Sequence, residues 1–525
     1  MPEQHASRRL SPRAAPGGPV GATPTVTRRV LLAGGAVGGF TLATGLLAAC
    51  TDPGSHSAAG HGASGHGTGR TFEAPTPVTP TADQRVVERT LTAKPVTLDL
   101  GGPTVPTWAY GDTAPGPLIR ANAGDLLRIR VDNRLPAETT VHWHGIRLRN
   151  QADGVPGLTQ DPIAQNSSYT YEFAAPDPGT YFFHPHVGVQ LDRGLYAPLI
   201  IDDPHEPGGY DAEWVVVLDD WVDGTGRDPD AVLESLRAGS GPAHDHGSMG
   251  MGGMGGMDMG PTPWGNAGDV LYPYYLVNGR IPTAPDVLGA KPGQRVRIRL
   301  INAASDTVFA VSLGGHRLTV THTDGYAVQP QEVSALYLGM GERYDVVATL
   351  GDGVFPLAAT PFGKSGLAMG LIRTGSGSAP DPTLAPAELA GPVLIGSDLK
   401  PAESSLLPVR RPDVVLPVVL AGQMQPYTWT INGGTFGRND PLVVQAGQRV
   451  RLRIQNQSMM THPVHVHGHT FALASSGLRK DTVLVRHMEV REIDFDADTA
   501  GSWMVHCHNA YHGEAGMMIE LAYRG

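Results

Sequence analysis

From about residue 85 onward the chain alternates apolar and polar positions over short runs separated by glycine and proline, the period-two signature of half-buried strands. One run occurs three times. Ala123-Gly124-Asp125-Leu126-Leu127-Arg128-Ile129-Arg130-Val131-Asp132-Asn133 returns at Pro292 to Asn302 and again at Ala446 to Asn456. Each copy has a turn glycine, an alternating strand and an asparagine nine residues after the glycine. The glycines stand 169 and 154 residues apart, too far for a solenoid and suited to whole domains of common ancestry. Many short strands between Gly/Pro turns predict a β-sandwich around each copy. The expected fold is all-β, with three consecutive Greek-key β-sandwich domains at 83–206, 207–385 and 386–525.

Upstream of 83 the pattern is lost. Thr27-Arg28-Arg29 opens an uncharged run rich in Gly, Ala and Leu that ends at Leu47-Ala48-Ala49-Cys50. A twin-arginine pair before an apolar region reads as an export signal over 1–49. The ending resembles the bacterial lipobox, which implies cleavage before Cys50, a lipid on its thiol, and a place at the cell envelope, on the outer face of the plasma membrane or in a periplasm. The other reading, an uncleaved membrane anchor, is disfavoured by the glycine content. Residues 50–82 hold Gly, Ser, Pro, Thr and three histidines (His56, His61 and His66), a composition that cannot bury a core and predicts a flexible tether.

Composition narrows the classes. Among 525 residues, Gly 68 and Pro 45 are high and charged residues make up 17%, favouring a turn-rich β protein. A formal charge of −11 offers no electrostatic case for nucleic acid, and two cysteines exclude a disulfide framework.

The chemistry lies in how the three copies differ. Eighteen and twenty residues after Gly124 stand His142 and His144, and at the same offsets from Gly447 stand His465 and His467. The same offsets from Gly293 give Val311 and Leu313. Gly179 leads by five and seven to His184 and His186, and Gly501 likewise to His506 and His508, whereas Gly353 leads to no histidine. On a strand each H-x-H pair puts two imidazoles on one face. Four pairs converge only if the first and third units touch, and eight imidazoles suit about three metal ions at three or fewer ligands each. Cys507, between His506 and His508, points the other way; with His462, His512 and Met517 it offers two imidazoles, a thiolate and a weak thioether, the blue-copper electron-transfer set.

These motifs, HWHG at 142–145, HPH at 184–186, HPVHVHG at 462–468 and HCHNAYHGEAGM at 506–517, resemble those of the three-domain bacterial multicopper oxidases, built from cupredoxin-like domains. The resemblance covers about 85–525 and implies four copper ions. It implies type 2 copper on His142 and His465, a type 3 pair on His144, His184, His186, His467, His506 and His508, and type 1 copper on His462, Cys507, His512 and Met517. One-electron donors would then feed the four-electron reduction of dioxygen to water through Cys507 and its flanking histidines. With a strand rise of ~3.3 Å per residue, the two sites should lie on the order of 10 Å apart. Asp153 matches a carboxylate that the family places near the type 2 copper and is the expected proton relay, with turn capping the alternative. Many bacterial relatives have Glu directly after the second type 1 histidine; here that place is Gly513 and Glu514 follows, so a proton role for Glu514 stays open.

The substrate is suggested by methionines. His244-Asp245-His246-Gly247 is followed by Met249, Met251, Met254, Met257 and Met259 among glycines, five of the fifteen methionines within eleven residues. Thioethers are soft ligands for Cu(I). Met459 and Met460, just before His462, either add to such a site or belong to the core. The expectation is a monomeric cuprous oxidase of copper tolerance, with a laccase acting on phenols and aromatic amines as the alternative and a non-enzymatic copper-scavenging envelope lipoprotein as the second. One departure is Ser458, where some cuprous oxidases have an acid.

Overall fold

The computed structural model describes residues 72, 76–206, 209–239 and 264–524. The twin-arginine run, Cys50 and the methionines from Met249 to Met259 lie outside the described residues.

Six sheets form three pairs. The repeated strand is the centre of one sheet in each pair. Leu126–Asn133 runs parallel to Val86–Asp99 and antiparallel to Ser168–Ala174. Arg295–Asn302 runs parallel to Ala212–Trp221 and antiparallel to Arg343–Thr349. Arg449–Asn456 runs parallel to Val414–Met424 and antiparallel to Val490–Asp496. The chain is thus three consecutive cupredoxin-like β-sandwiches.

The recurrent asparagine has a common job. The Asn133 side chain donates to Ala137 O and Ile163 O at 2.9 and 2.8 Å. Asn302 donates to Thr307 O and Leu338 O, both at 2.9 Å, and Asn456 to Met460 O and Val485 O at 2.7 and 3.0 Å. One buried amide satisfies carbonyls from two loops, fixing the loop that leads to the next strand. In copies one and three that next strand carries the first H-x-H pair.

The middle copy departs from the expected half-burial. Its repeated strand is buried on both faces, and Arg297 and Arg299 are buried. The alternation reflects paired charge rather than solvent: Arg297 donates to Asp345 at 2.5 Å, and Arg299 to Glu213 at 2.7 Å and to Thr180 Oγ1 of the first domain at 2.9 Å. That face is an interdomain contact, and ion pairs replace the water that would otherwise cover it.

Candidate metal centres

Strand register sorts the third domain's ligand-type residues onto two faces. His462–Val466 pairs antiparallel with Ser502–Cys507, placing Val464 opposite Cys507 and His465 opposite His506. Cross-strand partners share a face and neighbours alternate, so His462 joins Cys507 while His465 and His506 face the other way. In the first domain His142 stands opposite His184 in the same manner.

On the Cys507 face, Sγ lies 3.5 Å from His462 Nδ1 and 3.7 Å from His512 Nδ1, and the two nitrogens are 3.1 Å apart. Asn509 makes this possible. Its side-chain oxygen accepts from the Tyr511 and His512 amides, both at 3.1 Å, capping the one-turn helix Ala510–Glu514 that carries His512 back beneath Cys507. Met517 is buried and joined to both by backbone, donating to His512 O and accepting from the Cys507 amide.

Burial pushes the Cys507 thiol up, and burial with the neighbouring His512 pushes His462 well below its ordinary value. A thiolate in this pocket therefore requires a cation beside it. The outer nitrogens are engaged: His462 Nε2 meets Ser458 Oγ at 2.6 Å, and His512 Nε2 meets Asp269 Oδ2 at 3.0 Å. Burial raises Asp269, but hydrogen bonds from His512 and the Tyr427 hydroxyl outweigh it and hold the carboxyl below its usual value. An ionised carboxylate only accepts, so His512 Nε2 carries the hydrogen and its Nδ1 presents a bare lone pair to Cys507.

On the opposite face all eight histidines converge at the contact between domains one and three. The Nδ1 atoms of His142, His184, His465 and His506 meet backbone carbonyls of Asp153, Pro185, Asp481 and Cys507 at 2.8 to 2.9 Å. A carbonyl only accepts, so each Nδ1 carries the hydrogen and each Nε2 is a bare acceptor. The Nε2 atoms of His142, His184 and His465 are buried without a protein partner among the described residues. His467 has its Nδ1 at 3.0 and 3.1 Å from the Asp153 carboxylate, and its Nε2 faces His506 Nε2 at 3.0 Å. His144 meets Thr482 through Nε2, leaving its Nδ1 facing His508 Nε2 at 3.1 Å. Burial, reinforced by neighbouring histidines, lowers His144, His184, His186, His467, His506 and His508 well below the ordinary value. The neutral rings of His467 and His506 aim Nε2 lone pairs at each other from 3.0 Å and repel unless a cation lies between them. The residues therefore fit bound metal. His186, His467 and His506 form one compact set, His142, His465 and His467 a second, and His142, His144 and His184 a third.

Several contributors carry no local sequence signature. Asp481 lies 3.3 Å from His144 Nε2 and 3.5 Å from His465 Nδ1 and receives both arms of the Arg343 guanidinium, at 2.7 and 2.6 Å. The glycine of the HWHG motif is explained here: a Cβ on Gly145, at φ +85°, would stand 2.4 Å from Arg343 Nη2 and 2.5 Å from Asp481 Oδ2. Asp269, Arg343, Tyr427 and Trp429, whose ring lies 4.0 Å from that of His512, come from segments distant in sequence and were not foreseen. Asp153 is buried, with its carboxylate against His467 and 3.2 Å from His142 Nδ1. Glu514 points elsewhere: its carbonyl accepts from Arg237, and its charged neighbours are Arg237 and Asp230. Met460 is buried, whereas Met459 is 57% exposed.

Comparison with known proteins agrees with this geometry. Three multicopper oxidase family models match residues 92–206, 213–376 and 409–524. The chain is 47% identical to the multicopper oxidase MmcO of Mycobacterium tuberculosis, over 95% of this chain and 96% of that protein. It is 30% identical to a copper resistance protein A homolog of Pseudomonas syringae pv. tomato, over 78% of this chain and 87% of that one. A crystal structure of a multicopper oxidase from Pseudomonas thermotolerans superposes with a TM-score of 0.65 at 27% identity, covering 84% of this chain and all of that one. The chain belongs to the multicopper oxidase family, copper-dependent oxidoreductases.

Proposed function

We propose that the chain holds four copper ions and oxidises Cu(I), with dioxygen as the electron acceptor, in copper tolerance. The reading of the ligands rests on the facing bare nitrogens of His467 and His506. His462, Cys507, His512 and Met517 would hold type 1 copper, His142 and His465 type 2, and His144, His184, His186, His467, His506 and His508 the type 3 pair. Bound copper would supply one-electron transfer at Cys507 and dioxygen reduction at the histidines, where four electrons from four oxidised Cu(I) ions, with four protons, would take dioxygen to two waters.

The chain's own part is positional. Cys507 is bonded in sequence to His506 and His508, so one residue of backbone links the two faces. Ser458 and Asp269 fix the two imidazoles beside Cys507 from behind. Asp153, buried between His142 and His467, is placed to hold and pass a proton to the histidine cluster, and the proposal gives that task to Asp153 rather than to Glu514. Cu(I) as substrate is favoured by Met249, Met251, Met254, Met257 and Met259 and by the copper-resistance relative. Export through the twin-arginine signal, a lipid on Cys50 and a monomeric state complete the proposal. Among the described residues no helix is long and apolar enough to cross a membrane.

The test is dioxygen consumption with Cu(I) against a panel of phenols, using protein with and without residues 244–259. Loss of the segment should reduce Cu(I) oxidation more than phenol oxidation; equal reductions would remove its role. The copper-loaded protein should be blue and Cys507→Ser colourless while still folded. A colourless, copper-replete wild type would sink the ligand assignment.

A further inference from the structure

The three copies share a tight turn after the loop held by the repeated asparagine. Ser167 N donates to Ala164 O at 3.0 Å, Glu342 N to Gly339 O at 3.0 Å, and Glu489 N to Arg486 O at 3.1 Å. The third residue of each turn is left-handed: Asn166 at φ 62°, Gly341 at φ 81° and Met488 at φ 57°. Asparagine and glycine suit that position, and methionine does not. Met488 is also 64% exposed, so no burial offsets the strain.

Its neighbours are of the same chemical kind. The Asn456 amide donates to Met460 O, Val485 O and Arg486 O, tying the loop before His462 to the turn that bears His487 and Met488. A Cβ at Gly265 would stand 2.2 Å from Met459 O and 2.9 Å from His487 Cβ, so both loops also meet at the residue after Trp264, five positions beyond Met259. Met459 is exposed, and the half-buried His487 has an enclosed Nδ1 with no hydrogen-bond partner among the described residues. The one carboxylate in the turn, Glu489, is neutralised by Arg486 at 3.1 Å and Arg491 at 2.9 Å. Without free anionic oxygen, this patch suits soft cations and not hard divalent ones. Ser458, beside Met459, bonds His462 directly.

We propose that Met459, His487 and Met488 form a surface docking site for Cu(I), the last stop before the Cys507 centre. The inference rests on the cuprous oxidase reading above and adds the residues that receive the ion.

Ag(I) is a redox-inert probe for this site. Calorimetric titration of the copper-loaded full-length protein, with residues 244–259 intact, should show one Ag(I) equivalent fewer in the triple variant Met459→Gln, His487→Gln, Met488→Asn. The same variant should raise KM for Cu(I) about tenfold, while the blue absorbance and the kinetics with a phenol stay within about twofold of wild type. Met488→Asn alone should raise the unfolding temperature, because asparagine suits the left-handed position. Unchanged Ag(I) stoichiometry, or an equal rise in KM for the phenol, would overturn the site. If wild type fails to oxidise Cu(I), the cuprous oxidase reading falls, and Ag(I) stoichiometry still decides separately whether the three residues bind a soft cation.

Discussion

Replacing Arg343 by methionine would keep most of the side-chain volume and remove one buried charge. Arg343 is fully buried and bonds all three domains: its Nε donates to Thr180 O of the first at 2.9 Å, Nη1 to Gly341 O of its own at 3.0 Å, and the fork to Asp481 of the third. Removing one member of a buried ion pair costs about 3–5 kcal/mol, because the remaining charge is left uncompensated. Loss of a donor to each buried carbonyl adds to this. Burial raises the Asp481 carboxyl, but the Arg343 charge and hydrogen bonds from His144 and His465 outweigh it and hold it well below the usual range. Without Arg343 the Asp481 charge falls on His144 and His465 and favours extra protons on two rings that must stay bare toward metal. Metal at the histidine cluster should therefore drop while the Cys507 centre, on the other face of its strand, remains.

The assay pairs copper stoichiometry with blue absorbance and denaturant unfolding. Arg343→Met should lose stability by about 3–5 kcal/mol and bind less copper per blue centre, and Arg343→Lys, which restores a point charge without the fork, should fall between. Full copper content with unfolding within about 1 kcal/mol of wild type would refute the reasoning, since losses that small are typical of exposed ion pairs.

Three further outcomes follow from the same geometry. Gly341→Ala places a Cβ 2.9 Å from His144 Cε1 and 3.0 Å from His508 Cδ2 at φ +81°; copper analysis should show loss at the histidine cluster, and the backbone strain alone should cost roughly 1–2 kcal/mol. Asp269→Asn keeps a hydrogen-bonding group beside His512 but removes a negative charge, so redox titration of the blue centre should give a higher potential; an unchanged or lower one would count against the contact. Burial raises Asp345, but Arg297, Arg299 and His322 outweigh it and hold the carboxyl well below its ordinary value. Its stabilising contribution is therefore complete above the unfolded value of about 3.9 and is lost as pH falls from there toward the folded value. Asp345→Asn should flatten the fall in stability below about pH 4, and acid unfolding curves of equal slope would contradict this.

What the sequence revealed follows from its periodicities. An H-x-H pair on a strand needs no tertiary information to face one way, and equal offsets from the turn glycines were enough to predict that His142, His144, His465 and His467 stand in equivalent places. Register then determined that His462 accompanies Cys507 rather than His465. Partners held by side-chain reach across domains were not legible. Asp269 meets His512 from 243 residues away and Arg343 meets Asp481 from 138, and neither stands in a pattern of its own. Periodicity also misled once: Arg297 and Arg299 of Arg295–Asn302 occupy positions that read as solvent-facing, and the structure covers them with carboxylates of an interdomain face.

The middle domain's missing ligands now have a different significance. A cluster built from domains one and three would, in a two-domain arrangement, present the back of His144, His465 and His508 to water. The middle copy closes that side. Gly341 packs directly on His144 and His508, Arg343 fixes the carboxylate behind His144 and His465, and Asp269 reaches over to His512 on the opposite face of the same strand. The turn that in the third copy exposes Met488 is, in the second, the one that brings Gly341 against the histidines. Two copies thus supply the histidines and one covers them, and the same turn does different work in each: glycine where an imidazole comes close, methionine where a soft cation is proposed to arrive.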